Sequence, residues 1–99
     1  MTKEINLSVN DVPIQLDYFV LGFIDHTVTG MVAALEGTGE IKTLVVSIEG
    51  DNVTIRLNDE LVTINLFVTK IIRSTIFGML STLKGVGDEI NRVELSIRK

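Results

Sequence analysis

The sequence predicts an α+β domain: an internally duplicated strand-strand-helix-strand unit, giving six mostly antiparallel strands and two long helices related by a pseudo-twofold axis. Three observations carry this expectation. First, shifting the chain by 48 positions lays residues 5–39 on residues 53–87 with 11 identities in 35 positions, where chance gives roughly two or three. Second, short runs of period-two alternation flank the same Asn-Asp dipeptide in both halves. Third, each half carries one long apolar segment at helical spacing. A repeat of this length must share its core with its neighbour, because a unit of about 46 residues buries too little surface alone. The chain of 99 residues therefore reads as one domain built from two repeats, residues 5–50 and 53–99.

The elements follow in order. Ile5, Leu7 and Val9 alternate with Asn6 and Ser8, the period of a half-buried strand. Asn10-Asp11 suits a tight turn, since both residues tolerate positive φ. Val12, Ile14 and Leu16 then alternate as a second strand. Asp17 precedes the first helix as an N-cap, whose side-chain oxygen accepts an N–H of the first turn. Phe19, Val20, Phe23, Ile24, Thr27, Val28, Met31 and Leu35 form its core stripe. Gly37 closes it in the left-handed conformation that glycine favours. Leu44, Val46 and Ile48 make the third strand.

The second half repeats this with Val53, Ile55 and Leu57, then Asn58-Asp59, Val62 and Ile64. Asn65 is the N-cap, and Phe67, Val68, Ile71, Ile72, Thr75, Ile76, Met79 and Leu83 are the stripe. Gly85 is the stop, and Val93, Leu95 and Ile97 are the last strand. Glu49-Gly50-Asp51-Asn52 is a hairpin turn and not a linker. It suggests that the third strand pairs with the fourth, and by symmetry the sixth with the first, so that the halves exchange their last strands. The rival arrangement pairs each third strand within its own half.

Bulk properties exclude several functions. A net charge of −4 opposes nucleic-acid binding, which needs a basic face. With no cysteine there is no disulfide, thiolate metal site or thiol catalysis, and a reducing, cytoplasmic setting fits. The first residues lack the apolar stretch of a signal peptide. Residues 18–35 and 66–83 approach the length of a membrane span, but Asp25 and His26 interrupt the first and Lys70 and Arg73 the second. Both are read as core helices, because charge near a span's centre is costly. Hydrophobic residues are 45% and mean hydropathy is +0.39, an apolar balance that leaves surface for a partner.

No motif specifies a reaction. Gly37-Thr-Gly39-Glu and Gly85-Val-Gly87-Asp follow helix C-termini, whereas phosphate is bound at N-termini. Thr27 and Thr75 lack a shared base, since His26 aligns with Ser74. His26 has no correctly spaced carboxylates for a metal. Gly30 and Gly78 lie inside helices at a cost of about 1 kcal/mol each relative to alanine, which predicts close backbone approach where the helices cross. The polar strand positions, Asn6, Ser8, Gln15, Thr43, Ser47, Thr54, Arg56, Thr63, Arg92, Glu94, Ser96 and Arg98, read as a solvated sheet face without the aromatics of a base-stacking platform.

Every residue that the halves share thus reads as structural. The expected function is a non-enzymatic protein-interaction or assembly domain without cofactor, catalytic residues or metal. Its candidate interaction surface is Leu21, Val32, Phe77 and Leu80, which lie off the stripes. The alternative is a small-ligand binding domain with an apolar cleft near the axis, rimmed by Asp25, His26, Thr29 and Arg73.

Overall fold

Alternation puts most apolar side chains of the longer strands on one face. In the computed structural model of the chain, which describes residues 4–36, 40–83, 86 and 89–98, those faces join in a single sheet. The elements are β1 (Glu4–Val9), β2 (Val12–Pro13), α1 (Tyr18–Glu36), β3 (Thr43–Glu49), β4 (Asn52–Leu57), β5 (Glu60–Val62), α2 (Leu66–Leu80) and β6 (Arg92–Arg98). The fold is α+β: six antiparallel strands in one open sheet of order β2-β1-β6-β3-β4-β5, plus the two helices.

The pairing resolves the choice that the sequence leaves open. β3 lies between β4 and β6, with Val46 opposite Ile55 on one side and Leu95 on the other. β6 also pairs with β1 along its whole length, from Glu4↔Arg98 to Val9↔Val93. Neither central strand pairs with a strand of its own segment. The edge strands are very short, two residues in β2 and three in β5, one of the ways in which sheets blunt their edges. The alternating runs at Val12–Leu16 and Val62–Ile64 stop early as strands. Pro13 has no N–H to extend a ladder, and Gln15 and Thr63 fall in the connections to the helices and not on the sheet face.

Among the described residues, four other than glycine stand at positive φ: Asn10 (φ 52°), Asp11 (66°), Asn58 (51°) and Asp59 (68°). Positive φ at both central positions is the type I′ requirement. The β3–β4 turn uses Gly50 at φ 60°.

The turn asparagines do more than bend the chain. The Asn10 side-chain Oδ1 accepts from the N–H of Asn91 at 2.7 Å and of Arg92 at 3.0 Å, and its Nδ2 donates to the Glu89 carbonyl at 2.8 Å. Asn58 does the same ahead of β3: Oδ1 accepts from Lys42 at 2.8 Å and Thr43 at 3.0 Å, and Nδ2 donates to the Glu40 carbonyl at 2.9 Å. Each backbone N–H adds a bond, Asn10 to the Arg92 carbonyl and Asn58 to the Thr43 carbonyl. Each asparagine thus pins the entry to a central strand that belongs to the other segment.

Both helices cover the apolar sheet face. Ile24, Val28 and Val32 of α1, and Ile72, Ile76 and Leu80 of α2, join Leu7, Val9, Leu44, Val46, Ile48, Ile55, Val62, Val93, Leu95 and Ile97 in one core. The N-caps stand as expected: Asp17 Oδ1 and Asn65 Oδ1 accept from the N–H of Val20 and Val68, each at 2.8 Å. The end of α2 differs. It stops at Leu80, where the Ser81 hydroxyl donates to the Gly78 carbonyl and the Thr82 hydroxyl to the Met79 carbonyl. Hydroxyl-backbone bonds compete with further helix, so the turn precedes the glycine. Gly37, Gly39, Gly85 and Gly87 lie outside the described residues.

Candidate interaction face

Each helix presents two adjacent ridges at i, i+4 spacing. One ridge, Val20–Ile24–Val28–Val32 and Val68–Ile72–Ile76–Leu80, faces the sheet. The neighbouring ridge starts with Phe19–Phe23–Thr27 in α1 and Phe67–Ile71–Thr75 in α2, which turn away from the sheet, while Met31 and Met79 farther along, and Leu83 beyond α2, pack in part against the core. The sequence pattern merges them into one stripe, because both are apolar and a flat sheet can cover only one. Phe19 is 75% exposed and Phe67 69%. Of the nine exposed large apolar residues among the described ones, seven are helical: Tyr18, Phe19, Phe23, Leu35, Leu66, Phe67 and Ile71. A cluster of this kind differs from scattered surface apolar residues, which need no explanation.

The residues named from sequence are placed differently. Val32 and Leu80 are each 1% exposed and belong to the core, while Leu21 and Phe77 are half-buried. The expected off-stripe patch is therefore not an exposed surface, because its positions lie on the sheet-facing side. Gly30 and Gly78 do not meet another backbone: a Cβ at either would find nothing within 4 Å, and both are exposed. The helices do not cross at these glycines; Gly78 instead lines an open groove.

That groove, of about 600 Å³, runs between the amino-terminal half of α1 and the carboxy-terminal half of α2. Phe19, Phe23 and Thr27 line one side, and Ser74, Thr75, Gly78 and Met79 the other. The Phe19 and Phe23 rings stand 6.1 Å apart, tilted by 42°. A shallower hollow continues from it over Tyr18, Gly22 and His26.

The expected cleft rim is not assembled. Asp25 is buried and accepts from the Thr29 hydroxyl at 3.1 Å on the inner side of α1. His26 is exposed on the outer side. Arg73 turns to the β3–β4 hairpin, where Nε donates to the Gly50 carbonyl at 2.8 Å, a terminal nitrogen lies 3.7 Å from Asp51, and the guanidinium stacks 4.3 Å from the Phe77 ring centroid.

Charge is nearly absent from the helices. Asp25, Lys70 and Arg73 are the charged residues within Tyr18–Leu35 and Leu66–Leu80. The first of these stretches has a mean hydropathy of 1.4 and is long enough to cross a membrane by length and composition, yet only Ile24, Asp25, Val28 and Val32 in it are buried. The opposite sheet face is polar and uncovered by helix, with cross-strand rows such as Ser8–Glu94–Ser47–Thr54. At its end Arg92 donates to Asp11 at 3.2 Å and to Glu49 at 3.3 Å. Hydrogen bonds to Asp11 and then Glu49 raise the guanidinium pKa further. Among the described residues, no three His, Asp or Glu side chains group as metal ligands.

Sequence reasoning found the apolar excess and missed its location. The available signal was the paucity of charge on both helices, which a core helix with one solvated side would not show. Comparisons with protein-family models, with curated proteins and with solved structures each return no match.

Proposed function

We propose that this chain is a non-enzymatic protein-interaction or assembly domain that binds through the outer face of its two helices. One observation carries the reading: seven large apolar side chains stand exposed on two helices whose outer surface holds almost no charge. Depletion of charge with enrichment of aromatics marks the centre of protein interfaces.

The same reading treats the molecule as a duplicated unit with pseudo-twofold symmetry. Supporting it, the strand order reads alike from both ends, with β6 and β3 at the centre. The bonds of Asn10 to Glu89, Asn91 and Arg92 match those of Asn58 to Glu40, Lys42 and Thr43. The asparagines are 48 apart and their partners 49 apart, as one inserted residue within the second repeat, after Gly87, requires.

Photo-crosslinking in the producing cell tests the function. A photoreactive residue replacing Phe23 or Ile71 is expected to capture protein, whereas one replacing Thr54 on the polar sheet face is not. Equal capture at all three positions, or none at Phe23 and Ile71, would sink the reading. A second reading, a small apolar ligand in the interhelical groove, rests on its volume of about 600 Å³, a size usual for ligand sites. It predicts an unlabelled protein face and a ligand that stays bound on purification.

A further inference from the structure

We propose that the outer helix face is covered by a second copy of this chain, packed helix layer against helix layer about a twofold axis. The inference rests on the interaction reading above and names its partner.

Area is the first argument. Taking roughly 200 Å² for a fully exposed large apolar side chain, the exposures of the seven residues (93% for Tyr18, 75% for Phe19, 44% for Ile71) leave on the order of 800 Å² per chain. One partner of a standard interface contributes about the same, roughly 800 Å². The patch alone thus reaches the area that one partner of a standard interface buries.

Layering is the second. A helix that is apolar all round is a buried helix. With one sheet beneath it, α1 is packed on a single side. A second copy places both helix layers between two sheets, so that the outer ridge becomes core as the inner one already is. An interface of this kind, apolar and poor in charge, has the character of a homodimer.

Charge is the third. Of the thirteen acidic residues, Asp25 and Glu36 are the ones within the helices. Two copies of a chain with net charge −4 repel across any surface that carries its share of those acids. The helix face is where two copies can meet without that repulsion.

Sedimentation of the full chain from low to high micromolar concentration tests the proposal. The wild type is expected at twice its 10.9 kDa. Phe23→Asp combined with Ile71→Asp should shift it to the single-chain mass, raising the dissociation constant about 100-fold or more, with unchanged circular dichroism. As a check that needs no disruptive variant, the chain has no cysteine, so Ser74→Cys and Gly78→Cys should form interchain disulfides on oxidation while Thr54→Cys does not. A dimer indifferent to the aspartates and unlinked through the helix cysteines would overturn the proposal. A monomeric wild type would overturn it too. In that case protein capture at Phe23 and Ile71 would leave the interaction reading standing. Absence of capture would remove both, and binding to phosphatidylcholine vesicles lost in the aspartate variant would assign the face to lipid.

Discussion

Asn58→Gly isolates the side-chain clamp at the entry to β3. Asn58 stands at φ 51° and Asp59 at 68° in the same turn, so glycine meets no conformational penalty at either position. The substitutions differ in what they remove. Asn58 loses three side-chain hydrogen bonds, to Glu40, Lys42 and Thr43, at 2.8–3.0 Å. A net bond is worth about 0.5–1.5 kcal/mol. These groups are exposed and water replaces part of the loss, so the lower part of the range applies and the cost is about 2 kcal/mol. Asp59→Gly should change stability by no more than about 0.5 kcal/mol, as for an ordinary surface site. Equilibrium urea unfolding measures both, and the slope with denaturant should stay constant, because neither change alters the surface exposed on unfolding. Amide exchange at Lys42 and Thr43 should rise in Asn58→Gly alone. The reasoning fails if the two variants unfold at the same midpoint. Asn10→Gly should cost the same again, and the double variant the sum, since the two clamps share no partner.

Gly30→Ala and Gly78→Ala, measured in dilute solution, should each stabilise by about 0.5–1 kcal/mol, since helix propensity improves and the added Cβ meets open space; a lower melting temperature would contradict the placement of these glycines. Leu80→Ala should cost about 2–5 kcal/mol while Phe19→Ser under the same conditions stays near neutral, and thermal melts showing the reverse would mean that the two ridges are exchanged. Arg73→Ala should lower stability by about 1 kcal/mol. Arg73→Lys should recover little of it, because the ammonium cannot reproduce both the Nε bond to Gly50 and the stack on Phe77; full recovery in urea melts would refute the directional role.

Much of the fold was legible because it rests on local chemistry. Asp17 and Asn65 could be read as N-caps since capping depends on a side chain and the next three residues. The Asn-Asp turns were legible for a similar reason. Strand pairing was half legible: the short Glu49–Asn52 connection suggested β3 beside β4, but nothing local states that β3 and β6 also pair with each other. The clamps were not legible at all. Asn10 reaches Arg92, 82 residues away, and a turn asparagine looks the same whether its side chain meets water or a distant strand. The helix faces were misread because periodicity reports that positions 19, 20, 23 and 24 are apolar, not which ridge a sheet will cover. The candidate patch failed for that reason, and Val32 and Leu80 proved to extend the inner ridge by one more turn.

The strand order also explains why the two segments cannot be separate modules. Residues 5–50 alone would hold the β1–β2 hairpin and β3, yet β3 has no partner among them, since its neighbours are β4 and β6. An unpaired central strand leaves its backbone donors and acceptors unsatisfied, and an uncovered row such as Leu44, Val46 and Ile48 forfeits its burial. Each segment therefore completes the other's sheet before it completes its own. The asparagine clamps act at the joints of that exchange, holding the start of β3 to Asn58 and the start of β6 to Asn10. This pairing satisfies the backbone of the central strands and the helices cover the sheet's apolar face, so most of the exposed large apolar side chains among the described residues stand on the helices.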